Sequence, residues 1–102
     1  MNLVFDPDAI QEAGDAAAYY EACRVGLGVA FHAALKDAVT QIRLHPLLWR
    51  CIGKRFRRCL LKSFPYAIIY AIFEDTVYIV AVMHLHRKPG YWRRRLKGAK
   101  PG

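Results

Sequence analysis

The stretch RFRRCLLKSFPYAIIYAIFEDTVYIVAVMHLH, residues 55–86, holds three runs rich in β-branched and aromatic residues, separated by Pro65 and by Glu74-Asp75. Runs of this composition bounded by turn residues read as strands, here Arg55 to Ser63, Tyr66 to Phe73 and Thr76 to His86. The connections are too short for a crossover, so the three strands form an antiparallel meander. Alternation assigns the faces: Tyr66, Ile68, Tyr70 and Ile72 oppose Ala67, Ile69, Ala71 and Phe73. In the last run Val77, Ile79, Ala81, Met83 and Leu85 are expected on one face, with Tyr78, Val80, Val82, His84 and His86 on the other. Both faces are apolar, so each needs a cover.

The first half supplies one cover. Asp6-Pro7-Asp8 starts a helix, with Asp6 as N-cap, Pro7 in the first turn and Asp8 favouring the dipole. It runs to about Arg24, carrying Ile10, Ala13, Ala17 and Tyr20 on one face; Gly14 in its middle suggests a close approach. Gly26-Leu27-Gly28 ends this helix and begins a second, from Val29 to about His45, with Phe31, Leu35, Ala38 and Ile42 as its apolar stripe before Pro46. Asn2 to Phe5 reads as a terminal strand, and Leu47 to Gly53 as a connection. The expected fold is α+β: a short N-terminal strand, then a two-helix antiparallel hairpin on one face of a small, mainly antiparallel four-stranded sheet (β-α-α-β-β-β), with a basic C-terminal tail. The second face becomes a partner-binding groove unless the tail or a second copy covers it.

The chain of 102 residues fits one domain, with a core at about 3–96 and a tail at 97–102. Its hydrophobic fraction of 55% and charged fraction of 24% are those of a globular protein. Charge is segregated: residues 1–49 carry three basic and six acidic groups, residues 50–102 thirteen basic groups against Glu74 and Asp75, giving −3 and +11 within a net +8. A basic half suits a polyanion or an acidic protein. Cys23, Cys51 and Cys59 are odd in number, form no C-x-x-C pair and sit among apolar or helical neighbours, as expected of buried, reduced thiols in a cytoplasmic protein. No signal peptide or long apolar span is present, so no membrane partner is expected. Motifs for nucleotide loops, zinc sites and serine hydrolases are absent; no metal, cofactor or small-molecule substrate is expected.

The chemistry is concentrated in basic and aromatic groups. Arg55, Arg57, Arg58 and Lys62 flank one strand, while His84, His86, Arg87, Lys88, Tyr91, Trp92, Arg93, Arg94 and Arg95 follow or end another. A cationic site beside a phenol and two imidazoles can stabilise developing charge and move protons, or grip a polyanion without reaction. Arg57 and Arg58 are adjacent on a strand, so at most one faces the groove unless a bulge intervenes.

The blocks RRCLLKSFPYAIIY (57–70) and HLHRKPGYW (84–92) resemble the RelE/ParE superfamily of toxins from type II toxin–antitoxin systems, and the likeness spans about Val4 to Arg95. It implies a compact α+β toxin restrained by a cognate antitoxin, for which an acidic amphipathic segment is expected. RelE-like members cleave mRNA on the ribosome with sheet-borne basic residues and a C-terminal tyrosine; ParE-like members poison DNA gyrase and cut no RNA. The resemblance places Arg58 at a catalytic lysine, Tyr91 at the tyrosine and Arg87 near a basic position; by imidazole chemistry alone, His84 and His86 could substitute as acid or base. Leu60 and Ala67 stand where further basic residues belong. The expectation leans to a ribosome-dependent mRNA endonuclease, with gyrase inhibition as the alternative.

Overall fold

A computed structural model describes residues 1–95; the expected tail at 97–102, and Leu96 at the end of the expected core, lie outside the described residues. The elements are β1 (Asn2–Phe5), α1 (Pro7–Cys23), α2 (Leu27–Leu44), β2 (Arg50–Ile52), β3 (Phe56–Leu60), β4 (Tyr66–Phe73) and β5 (Thr76–His84). The sheet order is β1-β5-β4-β3-β2, with β1 parallel to β5 and every other pairing antiparallel. The sheet therefore has five strands, not four. Residues 50–52, expected within a connection, pair with 56–58 around Gly53, whose φ of +66° suits the tight reversal.

Local signals hold where local physics decides. The Asp6 carboxylate accepts the Asp8 N–H at 2.8 Å, and Pro7 opens α1. Gly26 turns the chain with φ +90°, and the Glu21 carboxylate accepts the N–H groups of Gly26 and Gly28 at 3.0–3.1 Å. The close helix approach is at Gly28, where a Cβ would lie 2.7 Å from the Ala17 carbonyl oxygen; Gly14, expected to mark it, has open space around it. Between helices and sheet lie Phe31, Ile42, Ile68, Tyr70, Val77, Ile79 and Val82. The Tyr70 hydroxyl stays in this core by donating to the Pro46 carbonyl at 2.6 Å, and burial pushes its pKa up to about 12.

The alternation assigned to β4 holds, but that of β5 breaks at one residue. Ile69 pairs with Ala81 and Tyr70 with Ile79, which leaves Val80 without a partner: a β-bulge. Val77, Ile79 and Val82 consequently face the helices, while Val80, Ala81 and Met83 face the opposite side. Ala81 and Met83 do not share a face with Val77 and Ile79, and His84 is carried to the helix side.

The C-terminal segment covers the second face. Trp92, 2% exposed, packs with Phe56, Ile69, Ala71, Val80, Ala81 and Met83, its ring edge-on to Phe56 at 4.6 Å. Burying an indole contributes about 4–6 kcal/mol from its area. Its N–H has no acceptor among the described residues, which costs about 1–3 kcal/mol. Burial wins, and the segment stays docked.

Candidate functional site

The candidate residues divide among three places. Beyond Ile79, the edge of β5 away from β4 has no neighbouring strand, because β1 ends at Phe5 and the chain turns into α1. Backbone groups on this free edge need partners. Glu12, one turn along α1 from Asp8, accepts the Val82 N–H at 3.0 Å, and Arg95 donates to the Val80 carbonyl at 3.1 Å. The same carboxylate takes Arg95 through both terminal nitrogens, at 2.8 and 3.0 Å, and the Tyr91 hydroxyl at 2.5 Å. The Arg87 guanidinium stacks 4.0 Å from the Tyr91 ring centroid, and that of Arg95 lies 5.1 Å from it. Side chains of Glu12 and Arg95 are only 14% and 17% exposed, so the pair works at reduced dielectric. Burial, then the bond to Glu12, drives the Tyr91 phenol well above its ordinary value. The hydrogen bonds from Arg95 itself to Glu12 are the main cause of the raised Arg95 value.

This arrangement changes the expected role of three residues. Tyr91 and Arg95 hold the C-terminal segment to the strand edge and to α1, and Arg95 is not free for a polyanion. Arg87, 55% exposed, reaches 4.0 Å from Glu12 and covers Tyr91. Sequence reasoning passed over Glu12, whose neighbours Asp8 and Asp15 make an acidic helix stripe that reads as a solvated face. Its partners lie 70 to 83 residues away.

The second place is a cleft of about 540 Å³ on the Trp92 face, with Arg50, Arg58 and Arg93 on its walls and Ile69 and Met83 below. As expected, Arg57 and Arg58 diverge: Arg57 turns away and donates to the carbonyls of Leu47 at 3.1 Å and Trp49 at 2.8 Å. Arg93 lies over the Trp92 ring at 5.0 Å. On the same sheet face Leu60 pairs with Ala67 beside Arg58, which makes that neighbourhood apolar. Trp92, placed by sequence among the binding residues, is a buried anchor that also lines this cleft.

The third place is on the helix side of β5. His84 was expected to face the groove; the bulge at Val80 turns it towards Glu12, Asp15, Tyr19 and Tyr66, and its ring meets that of Tyr66 at 5.0 Å. The His86 N–H donates to His84 Nδ1 at 3.0 Å, with the two rings 5.1 Å apart. His86 lies beyond the strand end and is exposed. Arg55, Lys62, Lys88 and Arg94 are exposed on loops and contribute charge without defined partners among the described residues.

Arg58, Tyr91 and the histidines are thus not one site. Tyr91 reaches a carboxylate at the outer edge of β5, two strands from β3; that spacing alone is about 10 Å. Among the described residues no group of three metal-ligating side chains assembles, and no helix is long and apolar enough to cross a membrane.

Residues 3–89 match the model of a family described as the ParE toxin of the type II toxin–antitoxin system parDE. A solved structure described as a chromosomal ParDE toxin–antitoxin system from P. aeruginosa has the same fold at a TM-score of 0.66 and 14% identity, over 84% of this chain and 97% of that one. A search of curated protein sequences returns no match.

Proposed function

We propose that this chain, which belongs to the ParE toxin family of type II toxin–antitoxin systems, arrests growth by inhibiting DNA gyrase and cuts no RNA. The observation that carries the choice over ribosome-dependent mRNA cleavage is the Glu12 clamp. A general acid or base must reach the reacting group with its own hydroxyl or ring nitrogen free to exchange a proton. Tyr91 instead donates to Glu12 and has its pKa driven upward, while His84 lies across the sheet from Arg58. The positions where a nuclease of this fold would carry further cations, Leu60 and Ala67, form an apolar pair.

The toxin is held inactive by a cognate antitoxin presenting an acidic amphipathic segment. The surface that suits its apolar face is the groove along α1 and α2, about 580 Å³, floored by Phe5, Ile10, Leu35 and Val39 with Lys36 and Arg43 at its rim. Ile10 is 57% exposed there.

The purified chain is expected to inhibit gyrase-catalysed supercoiling of a relaxed plasmid and to leave reporter mRNA intact in a translating extract. Cleaved message with unimpaired supercoiling would overturn the gyrase reading in favour of the endonuclease. The Ile10→Glu variant should lose co-purification with the product of the adjacent reading frame; retention would move the antitoxin off this groove.

A further inference from the structure

We propose that the Arg50–Arg58–Arg93 cleft is a docking site for an acidic peptide of a partner protein, one that sets carboxylates against the arginines and lays an apolar side chain on the aliphatic floor. The inference is independent of whether gyrase or the ribosome is the target.

Four observations carry it. Arg50 and Arg58 are directly opposed across β2 and β3, a pairing of like charges that destabilises a sheet unless an anion bridges them. No carboxylate lies within ion-pair distance of Arg50, Arg58 or Arg93 among the described residues, although Arg87 and Arg95 both find Glu12. Among the described residues the cleft lining contains three arginines and no acidic residue. Finally, Trp92, which lines the cleft, keeps a buried indole N–H without an acceptor.

The site is also preformed. Arg93 is stacked against Trp92 at 5.0 Å and Phe56 at 5.8 Å. Gly90, at φ +83°, allows the approach, since a Cβ there would come within 2.9 Å of Arg93 Nε. A braced guanidinium loses little rotamer freedom on binding, and its planar fork matches a carboxylate bidentately.

Peptide is favoured over single-stranded nucleic acid by the floor. Sequence-tolerant nucleic-acid grooves stack bases on exposed aromatic rings. Here the aromatic lining residue is Trp92, 2% exposed, and the surrounding surface comes from Ile52, Ile69, Met83 and Leu85. That floor suits an aliphatic side chain.

The test uses the full chain and three labelled probes: a short peptide of alternating Glu and Leu, its Gln–Leu counterpart, and an oligothymidylate. The Glu–Leu peptide should bind, with the other two at least about tenfold weaker. Arg50→Gln/Arg58→Gln should weaken it by about tenfold or more, whereas removing equal charge by Lys62→Gln/Arg94→Gln should leave it unchanged. In a 1H–15N spectrum of the wild type, the Trp92 indole signal should move on titration with peptide while that of Trp49 stays, a readout that needs no variant. Equal loss in both double variants, tighter binding of the oligothymidylate, or an unmoved Trp92 signal under saturating peptide would each overturn the proposal.

Discussion

Replacing Glu12 by Ala removes one carboxylate that accepts from four groups, of which one Arg95 nitrogen keeps the Val80 carbonyl as a second acceptor. The Val82 N–H, the Tyr91 hydroxyl and two nitrogens of Arg95 all converge on it at 2.5–3.0 Å. Breaking a fully buried charge pair from one side costs about 3–5 kcal/mol. Arg95 retains 17% exposure, so water recovers part of its solvation, and a loss of about 2–4 kcal/mol is expected. A chain of this size has a total stability of roughly 5–15 kcal/mol, and each kcal/mol moves the melting temperature by about 4–8 °C. The melting temperature followed by circular dichroism should therefore fall by roughly 8–30 °C. The loss should begin locally: the Arg93 and Arg95 amides, bonded to the carbonyls of Gly90 and Trp92, should exchange with solvent far faster than amides of β4. Asp15→Ala on the same helix, where among the described residues the carboxylate accepts only from exposed Gln11, is the control and should stay within about 0.5 kcal/mol of wild type. A Glu12→Ala protein melting within about 2 °C of wild type, with Arg95 still protected, would refute the clamp.

Gly14→Ala, at a helix position with open space, should raise stability by about 0.5–1 kcal/mol in urea unfolding, while Gly28→Ala, against the Ala17 carbonyl, should lower it. Burial pushes the Cys59 thiol from 9.0 up to about 11, so the folded state holds its proton more tightly than the unfolded chain. Its contribution to stability is complete below about pH 9 and is lost as pH rises from there through 11. Of the three thiols expected to be buried only Cys59 is, so at pH 8 to 9 a thiol reagent should modify exposed Cys23 and Cys51 while Cys59 stays unreactive by mass mapping. Deleting Val80 would remove the bulge yet leave Val82 in the helix-side core, because Ile79 and Ala81 already face opposite sides; the variant should still melt cooperatively, destabilised by the lost Val80 side chain, and loss of a cooperative transition would show that the bulge itself is required.

Much of the architecture was legible in the sequence because its causes are local. Asp6-Pro7-Asp8 specifies a helix start through capping and a fixed φ, and the stripe Phe31, Leu35, Ala38, Ile42 specifies which side of α2 is buried, as observed. The limits of β1 and β4 follow equally from apolar runs ended by Asp6 and by Glu74-Asp75. Even the divergence of Arg57 and Arg58 needed only the two-residue period of a strand. The short β2 escaped because three residues around a Gly turn carry too little pattern to stand out from a loop.

The site was less legible, since its residues are placed by events that leave no periodic trace. An extra residue at Val80 reverses every side chain after it, and nothing in TVYIVAVMH distinguishes a bulged strand from a regular one. That single shift takes His84 away from Arg58. Likewise Tyr91 and Arg95 look like free functional groups in the sequence, and only the fold brings Glu12 to them across 79 and 83 residues. The sequence by itself determined the elements, their order and the basic character of the second half, because propensity, capping and alternation act between near neighbours. Tertiary structure decided which cations remain available. Edge-strand backbone groups and one half-buried carboxylate draw Arg95 and Tyr91 into the scaffold, while Arg50, Arg58 and Arg93 are left facing an open cleft.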